Sequence, residues 1–124
     1  MCLVNMRMIL ITLVFFSVAS CTKIRIDPDC YPKNQIEHEA NNWQGRVIYF
    51  DELGQWTIRH HVPGTIDSFY TSVVCNMPDE YKIDQLEVIF SGYLKDDKGK
   101  INPSTIIGGE EFFFLDLIDI SLEE

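Results

Sequence analysis

Read as apolar and polar positions, the chain divides into three stretches. Met8 to Phe16 is almost unbroken apolar, Thr22 to about Asn42 shows no sustained period, and from Trp43 onward short runs of β-formers, several alternating apolar with polar, are separated by turn residues. Arg46–Phe50 is dense in β-formers, and Asp51-Glu52-Leu53-Gly54 supplies turn chemistry. The chain returns through Gln55–His60, where Trp56, Ile58 and His60 alternate with Thr57 and Arg59. A third strand is expected over Ser68–Cys75, with Phe69, Thr71, Val73 and Cys75 on one side and Tyr70, Ser72 and Val74 on the other. Pro78 suits the first turn of a helix, and Asp79 and Glu80 suit its positive end, so Pro78–Lys82 reads as one helical turn. A fourth strand starts at Leu86 with a bend or bulge at Gly92, and Glu111–Leu122 forms a long last strand. That strand is apolar on both sides except at Asp116, so it must bend through the core or be covered twice, and Asp116 must be wet or paired.

Five strands with a short helix between the third and fourth are the order of an OB-like barrel, and the predicted fold class is all-β of that type. A small open β-sandwich uses the same strands with poorer closure. The predicted organisation is a leader over 1–20, a tether over 21–42 and the barrel over 43–124. Pro28, Pro32 and mixed charge suit a tether that lifts the domain away from its attachment.

Candidate chemistry is sparse. Glu37-His38-Glu39 falls in the expected tether and reads as a solvated charged run without metal geometry. His60-His61 reads as a strand-end pair with one ring inward and one wet, because neighbours on a strand face opposite sides. Asp96-Asp97-Lys98-Gly99-Lys100 lacks the alternating oxygens of a calcium loop and reads as a polar turn. Phe112-Phe113-Phe114 reads as core filling before it reads as a stacking platform. Cys30 and Cys75 have two readings. A disulfide would close a long loop and contribute about 4 kcal/mol by chain entropy; alternatively both are reduced, Cys75 in a strand and Cys30 loose. Neither a metal nor another cofactor is expected.

Charge narrows the partners. Ten Lys and Arg stand against nineteen Asp and Glu, for a net charge of −9, and Arg7 lies in the leader. A domain this acidic repels phosphate backbones, so no nucleic-acid binding is expected.

The leader itself combines Arg7, the short apolar run and the small residues Val18-Ala19-Ser20 before Cys21, with Met1, Met6 or Met8 as the start. Val18-Ala19-Ser20-Cys21 resembles a bacterial lipobox, which implies cleavage before Cys21 and lipid on its thiol and amine. Further segments are Gly64-Thr65-Ile66-Asp67-Ser68, Cys75-Asn76-Met77-Pro78-Asp79-Glu80-Tyr81-Lys82, Val88-Ile89-Phe90-Ser91-Gly92 and Ile107-Gly108-Gly109-Glu110-Glu111-Phe112. Together they resemble the small lipoproteins of Bacteroidota with OB-like domains, from about Trp43 to Ile120. The resemblance implies fold and address and carries no catalytic residues. Surface-exported members carry acidic residues after the lipidated cysteine, whereas Thr22-Lys23-Ile24-Arg25 follows here. The expected place is therefore the cell envelope, lipid-anchored in the outer membrane and facing the periplasm. The expected role is a non-enzymatic binding module for an envelope protein, peptide or glycan, with a hydrolase or a purely structural lipoprotein as the alternatives.

Overall fold

The computed structural model describes residues 24–25, 30–103 and 108–123. Six strands form one sheet: β1 (Ile24–Arg25), β2 (Ile36–Phe50), β3 (Gln55–His61), β4 (Phe69–Val74), β5 (Glu87–Lys95) and β6 (Glu110–Leu122). β2, β3 and β4 form an antiparallel meander, β6 lies parallel to β4, and β5 pairs with both β6 and β2. That double pairing closes β2 to β6 into a five-stranded barrel of OB-like type, leaving β1 as a short addition outside β6. A 3₁₀ turn at Asp79–Tyr81 stands between the third and fourth barrel strands, where the sequence places a helical turn. Met77 and Tyr81 are buried there and close one end of the barrel.

The interior is filled largely by inward residues of the barrel strands, with Val47, Ile58, Val88, Phe90, Leu94, Leu115, Leu117 and Ile120 withdrawn from water. The two long strands stay in register with two neighbours each only by bulging. β6 gains a residue on β5 between the pairs Ser91↔Asp119 and Gly92↔Leu117, so its inward set passes from Phe113, Leu115 and Leu117 to Ile120. Gly92 is required at that crossing, because a Cβ there would collide with the Asp116 carbonyl and approach Leu115 Cδ1 to 3.1 Å.

β2 corrects the expected boundary between tether and barrel. The first barrel strand begins at Ile36, not near Trp43, and Ala40 is buried within it. A register shift between Ala40 and Trp43, with Asn42 at a φ of 56°, places two residues where alternation allows one. The apolar period is broken at that point although the strand is not. Glu37-His38-Glu39 is therefore not a solvated run on a tether: His38 is half-buried, stacked on Tyr70 at 4.7 Å and edge-on to Phe113 at 5.3 Å.

Candidate functional site

A cleft of about 420 Å³ crosses the outer face of β2, β3 and β4 and reaches the start of β5. Its floor lies on Gly45, whose missing side chain lets the sheet close: a Cβ would stand 2.6 Å from Ile58 Cγ2 and 2.9 Å from Phe90 Cε1. Outward residues of the same strands form the walls. Arg46 and Ile48 come from β2, Arg59 and His61 from β3, Phe69 from β4, and Gln85 and Glu87 from the entry to β5.

Each cation in the cleft has a partner. Arg46 Nη2 lies 2.7 Å from Glu87 Oε2, with both side chains half exposed. Arg59 Nη2 donates to Glu110 Oε2 at 3.1 Å, and Thr71 Oγ1 donates to the same oxygen at 2.5 Å. The Glu110 side chain is only 2% exposed, so it is held as a buried carboxylate behind the cleft wall. Arg59 also lies over the Phe69 ring, its Cζ 4.9 Å from the centroid. Gln44 Nε2 donates to Glu123 Oε2 at 3.1 Å on the far rim. The result is a rim of amide, guanidinium and carboxylate groups around a cleft whose apolar lining is Ile48 and Phe69.

A second polar centre lies behind β6. Asp116 is fully buried; its Oδ2 lies 2.6 Å from Lys95 Nζ, and its Oδ1 accepts the backbone N–H groups of Cys30 and Tyr31 at 3.1 and 3.2 Å. Lys95 Nζ also donates to the Tyr31 carbonyl at 2.8 Å, and the Tyr31 ring stacks on Phe114 at 4.3 Å. Burial, and then the Asp116 charge, push the Tyr31 hydroxyl above its ordinary value. Cys30 is joined to Cys75 with a Cα separation of 6.3 Å, inside the normal range for the bond. The disulfide reading thus holds, and the alternative of two reduced thiols does not. Cys30, Cys75 and Asp116 bring three potential ligand atoms within 4.8 Å of one another. Disulfide sulfurs are not thiolates, however, and Asp116 already holds Lys95, so the donor set is occupied by protein.

The histidines separate as the strand period requires. His61 is exposed in the cleft, whereas His60 points into the barrel, stacks on Trp43 at 4.1 Å and donates from Nδ1 to the Gln44 carbonyl at 2.8 Å. Burial depresses the His60 pKa; the Gln44 bond opposes that shift, and His61 adds slightly to it. The Asp96–Lys100 turn directs its acids at its own backbone, Asp97 accepting from the N–H groups of Gly99 and Ile101. Val18, Ala19, Ser20 and Cys21 lie outside the described residues. The sequence carries no local signal for Arg59 and Glu110 as a pair, since they meet only through the β3–β4–β6 order.

Comparison with protein-family models finds no match, and comparison with curated proteins finds none.

Proposed function

We propose that this chain is an exported, lipid-anchored binding module of the cell envelope whose cleft across β2, β3 and β4 takes a glycan. The carrying observation is the charge balance of that cleft: Arg46 is held by Glu87 and Arg59 by Glu110. A site for phosphate leaves cations free to meet it. Here the guanidinium, amide and carboxylate groups together offer alternating donors and acceptors, which suits hydroxyl groups on a neutral ring. The side chains of Phe69 and Ile48, which line the cleft, suit its apolar face. The volume fits a small saccharide, and the outer face of the second and third barrel strands is where OB folds take oligosaccharides or oligonucleotides. The acidity of the chain disfavours the second of these.

The anchor rests on Arg7, the apolar run and Val18-Ala19-Ser20-Cys21. Thr22-Lys23-Ile24-Arg25 after the cysteine favours the periplasmic side of the outer membrane over the cell surface. The engagement of Glu87 and Glu110 with arginines supports a non-enzymatic role.

Calorimetric titration of the lipidated protein in detergent with soluble envelope oligosaccharides tests the reading. Binding that falls about tenfold or more in Arg59→Ala supports it. Binding of single-stranded oligonucleotides that persists at physiological salt, with no response to any oligosaccharide, would overturn it.

A further inference from the structure

The direction of β1 bears on how the barrel meets its membrane. Ile24 pairs with Ile120 and Arg25 with Asp119, antiparallel, so the chain traced back from Arg25 to Ile24 runs along β6 toward Leu122. Ile24 follows Cys21 by only three residues, so their Cα atoms lie at most about 11 Å apart. A tether through Asn42 would have allowed several times that reach, but the pairing of β1 and the Cys30–Cys75 bond remove it. Lipid on Cys21 therefore holds the C-terminal end of β6 close to the bilayer.

That end of the barrel is formed by the β2–β3 turn, the 3₁₀ turn, the start of β5 and the end of β6. It presents Tyr49, Ile83 and Leu122, which are 40%, 54% and 45% exposed. The Trp56 ring stands 5.0 Å from that of Tyr49. Tyrosine and tryptophan favour the headgroup layer, where the ring is sheltered and its polar tip stays wet, and aliphatic side chains gain from shallow burial. Asp51, Glu52, Glu80 and Asp84 flank the same end, and Lys82 is tied to Asp79 at 3.0 Å. Such a surface has no attraction for anionic lipid by itself, so contact depends on the anchor.

We infer that the barrel rests with Tyr49, Trp56, Ile83 and Leu122 against the headgroups of the membrane that holds Cys21, with the β3–β4 loop directed away from it. This rests on acylation of Cys21 as proposed above. The cleft then stands on the flank of the barrel, its Glu123 rim toward the membrane and its Phe69 side toward the aqueous space.

The test places a photocrosslinking p-benzoylphenylalanine at Ile83 or at Ile66 in the full-length, lipidated protein. Ile66 is 92% exposed on the β3–β4 loop at the opposite end. After reconstitution into phosphatidylcholine vesicles and irradiation, the Ile83 position takes up lipid about fivefold more than the Ile66 position. A Gly-Ser insertion of about twelve residues after Thr22 brings it down to the Ile66 level. Equal labelling at the two sites, with mass spectrometry showing an acylated Cys21 peptide, overturns the orientation and leaves the anchor standing. A Cys21 peptide without acyl groups overturns both.

Discussion

Glu110 and Asp116 lie on the same strand, each is a carboxylate withdrawn from water, and each holds a cation. Their surroundings make them different devices. Asp116 is enclosed: Lys95 takes one oxygen, two backbone N–H groups take the other, and Tyr31 and the disulfide cover them. Glu110 is enclosed on one side only, and the arginine it holds is 31% exposed at the edge of an open cleft. A buried pair that is completely surrounded fixes one arrangement of the chain. A pair with one exposed member instead presents a pre-oriented charged group to whatever enters the cleft.

The sharpest way to break this comparison is Asp116→Ala. It leaves Lys95 charged and buried and two backbone donors without acceptors, and should lower unfolding free energy by about 3–5 kcal/mol in urea denaturation. A double change to Lys95→Met with Asp116→Leu should lose markedly less than the sum of the singles. Next in size, Cys30→Ser with Cys75→Ser should lose about 2–4 kcal/mol by the same measurement. Glu110→Gln should cost less, about 1–2 kcal/mol, because Arg59 can turn to water; its larger effect should be weakened glycan binding in calorimetry. Arg46→Ala, which breaks a half-exposed pair, should change stability by no more than about 1 kcal/mol while still reducing binding. A loss at Glu110 equal to that at Asp116, with binding unchanged, would erase the distinction.

The buried imidazole adds a pH arm. The folded His60 pKa is depressed, so below about 6.5 the unfolded chain takes up a proton that the folded chain refuses. Its contribution is present above that range and is lost as pH falls through it. The melting temperature should drop from about pH 7 to pH 5.5, and the drop should be smaller in His60→Gln.

The fold was legible because β3 and β5 alternate, β4 and β6 are dense in β-formers, and Gly, Pro and Asp signals separate the four. Each was placed within a residue or two, as was the turn at Asp79. The N-terminal half of β2 was not legible, since the irregularity at Asn41 and Asn42 puts Ala40 and Trp43 out of step and its outward positions are Glu37 and Glu39. Asp116 was marked by its isolation among apolar residues, and it is paired as expected. Its partner was not marked, because Lys95 reads as the first cation of the acidic turn after β5. Arg59 and Glu110 offered no pattern at all: a pair that meets through a parallel strand contact has no sequence spacing to read.

The chain order of the disulfide bears on how the barrel assembles. Cys30 and Cys75 enclose β2, β3 and β4, whose neighbours are joined by short turns, while β5 and β6 lie beyond the crosslink. Local pairings form quickly and distant ones wait for loop closure. In an oxidised chain the meander is thus stapled before the last strand arrives, and insertion of β6 between β4 and β5 becomes the closing step. Asp116 travels on that strand and meets the N–H groups of Cys30 and Tyr31 only then, so the step expected to be slowest is also the one that fixes the segment before β2.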